Sequence, residues 1–201
     1  MSRLDVLDWR RRVGDLYAQV RARTPQEGHA LWRAGRDELF AHHRAGPLLP
    51  ADRAAFTGLP VAPYDPALRF EVPVEPVEEA AGPLRREAVT GTDGTVVLER
   101  VGTVTLPGVG TLDVWWLDQY GGGLFLPLKD PGPGYGGGRY LLDTVKGADL
   151  GSTARGLVVD LNFAYPPSCA YDPAWACPLP PPGNVVDVPV TAGELAGPWG
   201  G

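Results

Sequence analysis

The chain has no isoleucine, one methionine, two cysteines, three histidines and only two lysines, Lys129 and Lys146, among its 201 residues. Alanine, glycine, proline and arginine are plentiful instead, a bias of genomic base composition rather than of function. No apolar run approaches the roughly 20 residues that cross a bilayer. The N-terminus carries Asp5 and Asp8 and no apolar core, so it does not read as a secretory signal. A soluble cytoplasmic protein with no membrane contact is the expectation. In that compartment Cys169 and Cys177, eight positions apart, are expected as free or buried thiols, with a disulfide between them left open.

A cationic surplus is also missing: 18 Lys and Arg face 24 Asp and Glu, a net charge of −6. Nucleic-acid binding needs clustered cations, and the one dense basic run, Arg10 to Arg12, reads as the solvated face of a helix. Catalytic signatures are absent as well, since G-x-S-x-G, H-E-x-x-H and G-x-x-x-x-G-K-[ST] do not occur. His42 and His43 are adjacent on a helical pattern and face different ways, a poor metal pair, and C-x7-C is not a usual zinc spacing. Neither a metal nor a cofactor is expected. Gly132, Gly134 and Gly137 match G-x-G-x-x-G formally. A dinucleotide loop must open a helix, however, and here RYLLDTV continues as a strand.

What the chain does have is turn residues: 27 glycines and 22 prolines, set between short apolar runs. Its length suits one domain with a sizeable core. Leu4, Leu7, Val13, Leu16, Tyr17 and Val20 recur at helical spacing. A second helix follows Thr24-Pro25-Gln26-Glu27, a capping box with proline at the first helical position. Leu31, Ala34, Glu38 and Leu39 carry it towards His42 and His43. Beyond Gly58 the strand candidates are Leu68 to Val74, Thr95 to Val101, Leu112 to Leu117, Leu124 to Leu128, Tyr140 to Val145, Leu157 to Phe163 and Val185 to Val190. Asp93-Gly94 and Pro107 to Gly110 are hairpin signals. The expected fold is mainly β with an N-terminal helical hairpin (1–45), then an antiparallel β-sandwich or partly open barrel (46–195), then a loose tail (196–201) onto which Trp199 can dock.

The run Tyr135 to Asn184 concentrates both cysteines, four tyrosines and an arginine placed directly after three glycines. Arg139 and the backbone amides of its glycine loop could form an anion-binding nest, or Arg139 could pair internally with Asp160. Alternation places Leu157, Val159, Leu161 and Phe163 on a core face, with Asp160 and Asn162 together on the other. Prolines flank Tyr165 and Ser168, so this segment is either a rigid ligand support or a stiff strap packed across a sheet.

The residues that recur as a set are Phe40, His43, Pro47 and Leu48; Gly58-Leu59 and Pro63-Tyr64-Asp65-Pro66 with Arg69; Leu124-Phe125 with Asp130; Tyr135 to Leu141; Asp160 to Tyr165; Cys169-Ala170-Tyr171; Cys177 to Pro181; Asn184; and Ala192-Gly193-Glu194. Together they resemble a bacterial family catalogued as domain of unknown function 1684, from Phe40 to about Glu194. Where that family tends to read His-Pro-x-Ser-Pro-Leu, this chain has His43-Arg44-Ala45-Gly46-Pro47-Leu48, without the serine hydroxyl. The resemblance implies which segments matter and no activity.

Three functional readings follow. The first is a binding module for a small anionic or polar ligand, with Tyr135, Arg139, Tyr140, Asp160, Asn162, Tyr165 and Cys169 as its site. The second is a metal-independent hydrolase or transferase with His43 or Asp160 as base and Cys169 or Ser168 as nucleophile. The third is a protein-interaction scaffold.

Overall fold

The computed structural model describes residues 1–77, 84–91 and 94–199. Helix α1 (Arg3–Arg21) starts at a capping box in which the Ser2 hydroxyl accepts from the Asp5 amide at 3.1 Å and the Asp5 carboxylate accepts from the Ser2 amide at 2.6 Å. Helix α2 (Pro25–His42) repeats the device with Thr24 and Glu27 and has Pro25 in its first turn. Two glycines let the helices approach closely. A Cβ on Gly35 would lie 2.7 Å from Leu16 Cδ1, and one on Gly28 would lie 3.1 Å from the Val20 side chain. The buried face of α1 is Leu16, Tyr17 and Val20, whereas Leu4 and Leu7, which share the sequence periodicity, stay exposed. On α2 the buried stripe is His29, Trp32, Arg36, Leu39 and Phe40; of the expected Leu31, Ala34, Glu38 and Leu39 only Leu39 belongs to it.

Among the described residues nine strands follow: β1 (Arg69–Val72), β2 (Glu75–Pro76), β3 (Arg85–Thr90), β4 (Gly94–Leu106), β5 (Gly110–Asp118), β6 (Gly123–Leu128), β7 (Arg139–Asp143), β8 (Ser152–Thr153) and β9 (Gly156–Asp160). They form two antiparallel sheets, one of six strands ordered β2-β4-β5-β6-β7 with β3 also on β4, and one of three ordered β1-β9-β8. This is the β-sandwich or partly open barrel expected behind a helical hairpin. The β4–β5 hairpin turns at Pro107 to Gly110, where Gly108 takes φ 77°, a left-handed value that glycine adopts without steric cost. Thr90 pairs with Gly94 across the β3–β4 connection, and Asp93 lies outside the described residues.

Two expected strands end early. Beyond Asp143 and beyond Asp160 the chain turns into short 3-10 segments, each begun by the aspartate's own carboxylate accepting an amide two or three residues on. The expected strand Val185 to Val190 does not form; Val185 makes one parallel bridge to Lys129. Asn184 replaces it as a staple. Its amide donates to the carbonyls of Asp113 (2.8 Å) and Pro127 (2.9 Å), and its oxygen accepts from the Trp115 indole (2.8 Å).

One apolar cluster joins the sheets through Val104, Leu112, Leu126, Leu141, Val159 and Leu161. A second joins the helical hairpin to the β domain, with Leu16, Tyr17, Trp32 and Phe40 against Phe163 and Tyr171. Burial of each such side chain contributes about 1.5–3 kcal/mol before entropy is counted. The segment expected to be loose is held as far as Trp199, which packs 5.5 Å from Phe56 and donates to the Gly58 carbonyl at 3.3 Å. No helix among the described residues is long and apolar enough to cross a membrane.

Candidate functional site

Tyr140 on β7 exchanges two backbone hydrogen bonds with Tyr165, at 2.8 and 3.1 Å. Pro166 and Pro167 then lack the N–H groups that would continue the ladder. The chain leaves the sheet there and crosses as a strap, tied down by the Tyr140 hydroxyl donating to the Pro178 carbonyl at 2.6 Å. Between strap, β7 and the two helices opens a cleft lined by Trp9, Val13, Tyr17, Arg36, Phe40, Tyr140, Asp143, Lys146, Tyr165, Ser168, Tyr171 and Cys177. Its interior of about 80 Å³ is narrow. Since a single water needs about 10–15 Å³, it holds a handful of waters.

Arg36 is the cation of this cleft. It is 8% exposed, and its guanidinium carbon lies 5.1, 5.0 and 4.9 Å from the ring centres of Trp32, Phe40 and Tyr165. One terminal nitrogen donates to Glu194 Oε2 at 2.5 Å, while Nε has no hydrogen-bond partner. Glu194 also accepts from the Tyr171 hydroxyl. Burial pushes its carboxyl above the ordinary range, against the pull of Arg36. The Tyr17 hydroxyl accepts from the Trp32 indole at 3.0 Å and is pushed up to about 12 by burial. At the rim Lys146 pairs with buried Asp143 at 3.4 Å.

The residues expected to share one site are divided among several places. Tyr140 and Tyr165 face each other in the cleft, with ring centres 5.8 Å apart. Arg139 is not in it: the side chain is 1% exposed and its partner is Asp130 (2.9 Å), not Asp160. Its other acceptors are the carbonyls of Ala192 (2.5 Å), Glu194 (3.2 Å) and Val190 (2.9 Å). Asp130 in turn accepts from the amides of Gly132 and Val190. The glycines serve this packing, since a Cβ on Gly134 would lie 2.6 Å from Arg139 Nε. Arg139 therefore clamps the C-terminal segment through its two terminal nitrogens, while its buried Nε, packed under Gly134, has no hydrogen-bond partner.

Tyr135 and Cys169 meet elsewhere on the strap. Burial pushes the Cys169 thiol up to about 12, with neighbouring Cys177 acting in the same direction. Both cysteines are free. His43, the expected base for Cys169, is engaged away from it: Nδ1 accepts from the Ala45 amide at 2.9 Å, so Nε2 carries the proton towards Asp8 at 3.0 Å. No nucleophile–base pair is assembled from these residues.

Asp160 and Asn162 do point together. The Asn162 amide nitrogen donates to Asp160 Oδ1 at 2.7 Å and to the Asp65 carbonyl at 2.8 Å, and Asn162 Oδ1 accepts from the Asp65 amide at 2.8 Å. Tyr64 reaches Asp160 Oδ2 at 3.4 Å. The register pairs Asp160 on β9 with Arg69 on β1. Burial pushes the Asp160 carboxyl up to about 6, the hydrogen bonds of Asn162 opposing it.

Sequence reasoning missed Arg36 and Tyr17 as cleft residues, and Glu194 as the partner of Arg36. One signal was present: His29, Trp32, Arg36 and Phe40 follow helical spacing, so Arg36 is a cation on an otherwise apolar stripe.

Comparison with curated proteins gives no match. Among solved structures, the solution NMR structure of an uncharacterised protein from Haloarcula marismortui is similar. It shares 31% sequence identity and a TM-score of 0.55, over 81% of this chain and 89% of that one. A family model described as "Protein of unknown function (DUF1684)" matches residues 54–195. That span holds every strand, the strap, Arg139 and Glu194, and leaves α1 and α2 outside. The stretch from Phe40 to Leu48, counted in the resemblance read from sequence, also lies outside it. On this match the chain belongs to the family of unknown function DUF1684.

Proposed function

We propose that the chain is a binding module for a small polar or anionic molecule, seated in the cleft between the helical hairpin and the strap rather than at Arg139. The observation that carries this reading is Arg36, a cation nine-tenths buried in the cleft wall among three aromatic rings. Small-molecule sites combine mainly apolar walls with a few placed polar groups. Here the rings of Trp9, Phe40, Tyr140 and Tyr165 supply the walls, and Arg36, Tyr17 and Lys146 supply the polar contacts. A carboxylate or carbonyl on the ligand meets Arg36, and its apolar part lies along the aromatic wall.

The test is a thermal-shift screen of the full chain against aromatic and aliphatic carboxylic acids, run beside Val13→Trp, which fills the cleft from α1. A ligand that binds only the native state stabilises it by about 2.7 kcal/mol at 100 times its dissociation constant. A hit on the parent that vanishes in a folded Val13→Trp variant supports the reading. Absence of any hit, or a hit of equal size in the variant, overturns it.

A further inference from the structure

Away from the cleft, the corner where α1 ends and α2 begins lies against β1, β8 and β9 and encloses a recess of about 240 Å³. Three arginines line it, Arg21, Arg23 and Arg69, with Ser152 beside them. Asp160 is the carboxylate of the lining. It is 2% exposed, and its Oδ1 is committed to the Asn162 amide groups. Arg69 also lines an adjoining open groove, together with Tyr64, Glu71 and Arg155.

Arg23 lies near Glu27 and Arg69 near Asp160, but Arg21 and Arg69 keep donors that no carboxylate takes up. Arg21 donates to the backbone carbonyl of Asp149, a neutral acceptor. Arg69 reaches Glu71 only at 3.4 Å through one terminal nitrogen, and its other terminal nitrogen is buried without a hydrogen-bond partner. Glu71 is already taken by Arg155 at 2.8 Å and by the Thr153 hydroxyl at 2.9 Å. A buried donor left unpaired is costly, and each such group calls for a missing partner. Three arginines share this recess in a chain of net charge −6, so it is a local positive region to which an anion is drawn.

We propose that this recess is a site for a phosphate group. Guanidinium forks match the oxygens of a tetrahedral oxyanion and bind it through paired charge-assisted hydrogen bonds. Arg21, Arg23 and Arg69 supply those forks, and the Ser152 hydroxyl supplies a further donor. Because Arg69 is shared with the groove of Tyr64 and Arg155, the carbon part of a phosphate monoester has a way out of the recess. The shared chemistry is the phosphate, and its source is either the free ion or a small monoester.

Isothermal titration of the full chain at constant ionic strength tests this, with inorganic phosphate in one arm and ribose 5-phosphate in the other. The expected result is saturable binding at one site per chain. The double substitution Arg21→Ala with Arg23→Ala removes two exposed side chains, so its melting temperature should match the parent while affinity falls about tenfold or more, given the usual worth of hydrogen bonds to charged groups. Tighter binding of ribose 5-phosphate identifies a monoester, and equal binding identifies the free ion. Val13→Trp should leave both titrations unchanged, which separates this site from the cleft. No saturable binding at millimolar phosphate in either arm, or equal affinity in the double variant, overturns the proposal.

Discussion

Arg36, on the second helix, and Glu194, near the end of the chain, meet as an ion pair at 2.5 Å with the carboxylate 1% exposed. The pair ties the helical hairpin to the last turn of the β domain, and Tyr171 on the strap donates to the same carboxylate. Removing one partner of a buried pair leaves the other uncompensated, at a cost of about 3–5 kcal/mol. Arg36→Met is expected to lower stability by that order in urea denaturation. Glu194→Gln, whose amide oxygen still accepts from Arg36 while its NH2 group can donate to the Tyr171 hydroxyl oxygen, is expected to cost less. Equal losses from the two variants would show that charge, not hydrogen bonding, holds the three segments together.

Arg139 is expected to behave as a fold residue. Its guanidinium serves Asp130 and three backbone carbonyls, so Arg139→Lys, which keeps the charge and loses the fork, should destabilise nearly as much as Arg139→Ala. The glycine above it makes the same point from the other side. Gly134→Ala places a methyl 2.6 Å from Arg139 Nε, an overpacking that costs typically about 1–3 kcal/mol. Thermal melts of the three variants check both statements. A stable Arg139→Lys would mean that a single donor suffices for the clamp.

Much of the scaffold was legible because its signals are local. Thr24 with Glu27 lies within one turn, and the Pro107 to Gly110 hairpin carries its own glycines. The environment of Arg139 was not legible, because three of its four acceptors are main-chain carbonyls of residues 190, 192 and 194, which no side-chain pattern encodes. The strand β3 was missed for a related reason: Arg85 to Thr90 pairs only with β4 and stays largely exposed, so it has little apolar alternation. The cleft depends on how the helical hairpin, β7 and the strap come together in space. Only the cation on the apolar stripe of α2 hinted at it.

Cys169 is expected to react slowly. A thiol pushed up to about 12 by burial is protonated at neutral pH, and only the thiolate attacks an electrophile. Mass spectrometry of the folded Cys177→Ser variant with iodoacetamide at pH 7.5 should show alkylation far slower than that of the urea-unfolded chain. Rapid modification of the folded protein would place Cys169 in an activating environment and reopen a nucleophilic role for it.

Asp160 supplies a pH dependence whose sign follows from its burial. Its carboxyl rises from an ordinary 3.8 to about 6 in the folded chain, so folding favours the protonated form. The native state therefore binds more protons than the unfolded state between these values, and stability falls as pH rises across that window. The contribution is fully present below about pH 4 and lost above about pH 6, and a shift of this size corresponds to roughly 3 kcal/mol. Asp160→Asn keeps an oxygen for the Asn162 amide and cannot ionise, so its stability profile should be flatter between pH 4 and 6 than that of the parent. Urea denaturation at intervals across the window reads the difference directly. Parallel profiles would mean that Asp160 ionises in the folded chain as readily as in the unfolded one, with Arg69, the Asn162 amide groups and the Tyr64 hydroxyl compensating its burial in full.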